Sequence, residues 1–123
     1  MKATVFQSIF DKLQDYLPQQ WDQIIYYALY MADSYSMKFY IRRGDEITDC
    51  FHLPGISRVR LAKTFMAMDK DITAARKELA QKDLWSVMTM VVDSQGNMKT
   101  DFDYTDISES SIEYVRQWEK KYL

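Results

Sequence analysis

Cysteine, histidine, proline and glycine are all scarce in this chain of 123 residues, with one, one, two and three copies. The lone Cys50 excludes an internal disulfide, and with it the cross-linked scaffold of small secreted domains, so a reducing cytoplasm is the expected setting. Gly44, Gly55 and Gly96 are isolated from one another, which leaves neither a dinucleotide fingerprint nor a phosphate-cradling loop. Long apolar runs are missing too. The longest uncharged stretch, residues 23–32, is about half of what a membrane-spanning helix needs. Asp11, Lys12 and Asp15 interrupt the apolar start before the core of a signal peptide develops. Excess positive charge is also absent. A net charge of -2 and a pI near 5.3 have the wrong sign for a domain that wraps phosphate backbones. A soluble protein with no direct nucleic-acid contact and no membrane contact is expected.

What is present suits one folded domain over residues 1–123. Hydrophobic residues make up 47% and charged residues 28%, near globular averages, so neither a disordered tail nor a simple coiled coil fits. Val5, Phe6, Ile9, Phe10, Leu13, Tyr16 and Leu17 recur at helical spacing over residues 4–17, and Pro18 ends the pattern. Residues 21–31 are dense in aromatic and β-branched side chains and read as a strand. After Asp33-Ser34, Tyr35, Met37, Phe39 and Ile41 alternate with Ser36, Lys38, Tyr40 and Arg42, giving a second strand paired with the first. Arg43-Gly44-Asp45 makes the next turn, and a third strand is expected over residues 47–53 before Pro54-Gly55.

Ser57 then caps a helix whose Leu61, Phe65, Met68, Ile72, Ala75 and Leu79 fall on one face. Residues 84–92 and 98–104 read as a hairpin around Ser94-Gln95-Gly96-Asn97. A closing helix is expected from an N-cap at Ser108. Glu109 and Glu113 would sit near its positive end and Lys120 and Lys121 near its negative end, with Ile112, Val115, Trp118 and Tyr122 docking on the sheet. The order α-β-β-β-α-β-β-α predicts an α+β fold, with an antiparallel sheet of about five strands and helices packed on it.

Catalytic signatures are weak. Asp49-Cys50-x-His52 is the one place where a carboxylate, a thiol and an imidazole lie together. In a strand Cys50 and His52 would share a face while Asp49 pointed away, so no third group would orient the imidazole. Zinc would need more ligands than these two. A half-buried structural cysteine is the simpler reading, and a small Cys/His enzyme is the rival one. Asp101 and Asp103 share a strand face, but they are neighbours along one strand and have no apolar pocket to split their pKa values, so solvated acids are expected. The eight methionines and eighteen aromatics fit core filling, Met68, Met88 and Phe102 among them. Tyr26, Tyr27, Tyr30, Tyr35 and Tyr40 cannot all point inward if strands alternate, so a surface tyrosine patch is expected, suited to a protein-binding adaptor.

Charge is distributed unevenly. Residues 93–113 hold Asp93, Asp101, Asp103, Asp106, Glu109 and Glu113 against Lys99 alone. Acids at a helix N-terminus offset the macrodipole, which accounts for part of the run. The remainder can steer and hold a basic protein, such as a nuclease with a phosphate-attracting cleft. The candidate partner-binding residues are therefore Asp101, Asp103, Asp106, Glu109 and Glu113, with Tyr104 as an aromatic anchor. No cofactor or metal is expected.

Four stretches carry a resemblance. They are Leu17-Pro18-Gln19-Gln20-Trp21-Asp22-Gln23-Ile24, Trp85 in a strand, the hairpin Asp93-Ser94-Gln95-Gly96-Asn97-Met98-Lys99 with Asp101-Phe102-Asp103-Tyr104-Thr105-Asp106-Ile107 after it, and the closing Trp118-Glu119-Lys120-Lys121-Tyr122-Leu123. Together they resemble the YezG family of bacterial antitoxin or immunity proteins, whose ending has the form Trp-x-x-Lys-Tyr-Leu. The middle, residues 42–82, offers little to match. The resemblance implies a cytoplasmic protein encoded beside a secreted antibacterial toxin, often a nuclease. Such a protein binds and blocks its toxin without chemistry of its own, in type VII or contact-dependent competition between bacteria.

Overall fold

The structure, a computed structural model, describes Met1–Leu123. Three helices and a five-stranded antiparallel sheet follow in the expected order. The chain divides into two compact units: residues 1–20 with 51–84, and residues 21–50 with 85–123.

The first unit pairs α1, Ala3–Leu13, with α2, Arg58–Lys77. A single turn of 3-10 helix, Gln14–Tyr16, follows α1, and Leu17 is extended because the ring of Pro18 excludes helical backbone at the residue before it. The Ser57 hydroxyl accepts from the Arg60 N–H at 3.2 Å and starts α2. Ile9 and Leu13 from one helix, with Leu61, Phe65, Met68 and Ile72 from the other, are buried. Leu79 lies beyond the end of α2, where the chain has already turned. Polar pairs tie the two helices outside this apolar layer. Lys12 Nζ reaches Asp71 at 3.2 Å, and the hydroxyls of Tyr16 and Thr64 lie 2.7 Å apart.

The second unit is the sheet with its last helix. Its strands are β1 (Gln23–Tyr30), β2 (Tyr35–Arg43), β3 (Glu46–Asp49), β4 (Val87–Asp93) and β5 (Met98–Asp103), in spatial order β3-β2-β1-β4-β5. Six consecutive residues of β1, Ile24 to Leu29, are buried, which marks a strand covered on both faces. One face carries Ile25, Tyr27 and Leu29 with Tyr40 and Val87, and on these pack Ile107 and Trp118. Trp118 belongs to α3, Ser111–Tyr122. The opposite face, with Ile24, Tyr26, Phe39, Ile41, Met88, Met90 and Val92, is buried as well.

Three local expectations need correction. β3 stops at Asp49 and the chain turns into one 3-10 turn at Cys50–His52. Pro54, which has no N–H to give to a ladder, lies just beyond. The expected surface tyrosine patch is also absent: Tyr26, Tyr27 and Tyr40 are buried, and Tyr30 and Tyr35 are half-buried with rings stacked 5.8 Å apart. Alternation does send them to opposite faces, but residues on both faces are buried. Finally, α3 begins after Ser110 rather than Ser108, because the Ser108 N–H and hydroxyl turn back to Asp106 Oδ1 at 3.1 and 2.7 Å. Glu109 thus precedes the helix, and only Glu113 lies in its first turn.

Candidate functional site: the acidic edge and its helix

The β4–β5 hairpin is built by its own sequence. Gly96 has a φ of 88°, a conformation that a side chain disfavours, and its N–H donates to the Asp93 carbonyl at 3.0 Å. Asp93 closes the loop with its side chain, accepting from the N–H groups of Gln95 (2.9 Å) and Asn97 (3.0 Å) and from the Asn97 amide (3.0 Å). These donors favour the ionised form and hold the Asp93 carboxyl below the usual range.

Strand register then sets Thr89 opposite Asp101 and Val87 opposite Asp103, on the face where α3 lies. Three polar contacts seat the helix there. The Trp118 indole N–H donates to the Thr89 hydroxyl at 2.9 Å, the Tyr122 hydroxyl to Asp101 at 3.0 Å, and the Tyr114 hydroxyl to Asp103 at 3.0 Å. Around Trp118 gather Tyr27, edge-on at 4.8 Å, Tyr122 at 5.1 Å and Tyr40 at 5.7 Å. Asp101 and Asp103 are therefore half-buried fasteners and not the solvated acids expected from sequence. Asp103 also accepts from the Thr105 N–H at 2.9 Å, and its carboxyl is held below the usual range chiefly by that backbone donor, with Tyr114 adding to the effect. The Tyr114 phenol is pushed up by burial and by its aspartate partner. Ile112, expected in the docking stripe, is instead 74% exposed.

Between β5 and α3 lies a cleft of about 240 Å³, bordered by Asp101, Asp103, Tyr114, Trp118, Lys121 and Tyr122. Beyond Asp103 the chain runs outward. Tyr104 is 58% exposed, and Asp106, Glu109 and Glu113 are exposed beside it in sequence. All six candidate contact residues thus fall on one continuous segment of the second unit, but in two roles: Asp101 and Asp103 face the helix, while Tyr104, Asp106, Glu109 and Glu113 face solvent. Tyr114 and Thr89, essential to this geometry, were missed in sequence, since the donors and acceptors that join them lie on elements far apart in the chain. The only available signal was the spacing of Tyr114, Trp118 and Tyr122 by four, one helical face.

Elsewhere, Cys50 is fully buried in its 3-10 turn while His52 is exposed. Burial pushes the thiol up to about 11, so at neutral pH it is protonated and a poor nucleophile. No group of three or more His, Cys, Asp or Glu side chains is placed to hold a metal ion. No helix is long and apolar enough to cross a membrane.

A family model described as "Immunity protein YezG-like" matches residues 3–123. Among individual proteins, the chain is similar to the immunity protein YezG of Bacillus subtilis (strain 168), with 26% identity over 129 residues, 97% of this chain and 85% of that protein.

Proposed function

Because the chain belongs to the YezG-like immunity protein family, we propose that it protects its cell by binding a cognate antibacterial toxin, a basic nuclease, in the cytoplasm and keeping that toxin's active site from its nucleic acid. The observation that carries this reading is the segment 101–113, where an exposed aromatic side chain, Tyr104, is followed by the exposed carboxylates Asp106, Glu109 and Glu113. An aromatic anchor with a charged surround is the usual composition of a tight interface, in which the anchor sets the lifetime and the charges set the association rate. Such a complex covers roughly 800 Å² on each partner. Acids laid against a phosphate-attracting cleft would exclude substrate by occupying it. The reading involves no bond making by this chain, and the buried, protonated Cys50 agrees with that.

Co-expression with the toxin domain encoded beside this gene tests the reading, scored by survival and by co-purification. Rescue with a one-to-one complex is expected. Killing that proceeds equally with and without the chain would refute it. Within the complex, Glu109→Lys with Glu113→Lys changes two exposed charges without touching the Tyr114 and Tyr122 fasteners. Association should slow about tenfold at low salt, with the difference shrinking as salt is raised. Unchanged association at low salt would remove these two residues from the contact.

A further inference from the structure

On the toxin-binding reading above, we propose that the open edge of β5 takes up a β-strand of the toxin, one that carries lysine or arginine at alternate positions. β5 is the last strand of the sheet on its side, paired with β4 alone. Hydrogen bonding along it has a definite phase. The Asp93 N–H donates to the Asn97 carbonyl at 3.0 Å, which makes 93 and 97 a hydrogen-bonded pair. Such pairs alternate along an antiparallel ladder, so Lys99, Asp101 and Asp103 bond to β4, and the backbone of Thr100 between them turns its N–H and C=O outward. No residue from Met98 to Thr105 is buried, in contrast to the central strand. The opposite edge, β3, is only four residues long.

Charge selects the occupant. In an added antiparallel strand, residues across from Asp101 and Asp103 would occupy non-hydrogen-bonded positions, where side chains of neighbouring strands approach most closely. Opposite charges there are favourable and like charges are not. On this edge β5 itself carries Asp101 and Asp103 against Lys99, so a strand with basic residues opposite the two aspartates is favoured over an acidic one. A basic strand meets Asp101 and Asp103 at the mouth of the 240 Å³ cleft, where Tyr114, Trp118 and Tyr122 can flank an incoming cationic side chain. Main-chain bonds would supply affinity and the cleft would supply specificity, the usual division in strand addition.

Thr100→Pro is the test. It deletes an outward N–H without removing a bond to β4, and edge strands tolerate proline at such a position. With the neighbouring toxin domain as probe, affinity should fall about 100-fold while the circular dichroism of the free variant matches wild type. Full affinity in a folded variant overturns the proposal. The wild-type chain gives a second readout that is independent of the variant's folding: the Thr100 amide should exchange rapidly with solvent in the free protein and be protected about 100-fold or more in the complex. Equal exchange in both states also overturns it. In either case a wild-type complex that still forms and protects leaves the immunity reading standing, whereas failure of the wild-type chain to bind removes both.

Discussion

The seat of α3 depends on one buried hydrogen bond whose worth can be isolated. Trp118 and Thr89 are each about 4% exposed, and the indole N–H reaches the threonine hydroxyl at 2.9 Å. Thr89→Val keeps the volume but strands the donor, at about 1–3 kcal/mol. Trp118→Phe removes the donor instead. The Thr89 hydroxyl then retains Tyr122, with which it also interacts, so the polar cost is smaller. To it is added about 1–2 kcal/mol because a smaller ring packs less well against Tyr27, Tyr40 and Tyr122. In the double variant neither partner remains, so the stranded-donor cost disappears, while the packing cost and the loss of the Thr89 contact with Tyr122 persist. The two substitutions should therefore be non-additive, the double variant being about 1–2 kcal/mol more stable than the sum of the singles implies. Urea unfolding followed by far-ultraviolet circular dichroism measures this without relying on the altered tryptophan. Additivity within about 0.3 kcal/mol would show that the hydrogen bond contributes nothing as a pair, and the account of how α3 is held would be wrong.

Acid should loosen the same region. Asp93, Asp103 and Asp106 have carboxyls held below their unfolded values, so the stability they contribute is complete above about pH 4 and is lost as the pH falls through the folded values. The melting temperature should drop more steeply below pH 4 in wild type than in Asp103→Asn, and equal slopes would contradict the linkage. Cys50, buried and with its thiol pushed up to about 11, should resist a thiol-reactive dye at pH 8 in the native chain and react fully in urea; prompt native labelling would contradict that placement. Gly96→Ala meets no steric neighbour, so its cost is that of the backbone at a φ of 88° alone, about 1 kcal/mol; an unshifted melting temperature would mean the turn relaxes to another form.

Patterns set by neighbouring residues were legible in the sequence. Alternation over Tyr35 to Arg42 gave β2, turn chemistry at Ser94 to Asn97 gave the β4–β5 hairpin, and the step of three and four from Leu61 to Ile72 gave α2. Family membership was legible from the same hairpin and the closing residues. What escaped depends on contacts across the fold. Apolar character favoured Ile112 as the docking residue of α3, yet the register of β5 puts Asp103 within reach of Tyr114, so the helix turns its tyrosines inward and leaves Ile112 outside. The candidate contact segment was found by charge counting, which cannot separate an acid that fastens a helix, such as Asp101, from one that faces solvent, such as Glu109. Nor could alternation reveal that residues on both faces of the sheet, Tyr26 and Tyr40 among them, would be buried.

The position of β1 has a consequence for biosynthesis. It is the first strand to leave the ribosome and the middle one of the finished sheet. Its neighbour β2 arrives at once, but β4 follows only after about 60 more residues, as the pairing of Leu29 with Val87 shows. Until then one side of this strand, six of whose eight residues end up buried, has no partner, and the nascent chain carries a sticky ribbon of isoleucine and tyrosine through about half of its synthesis. Completion of the fold must wait on a late, long-range closure, so synthesis temperature and chaperone supply should govern the yield of active protein more than the stability of the finished molecule does.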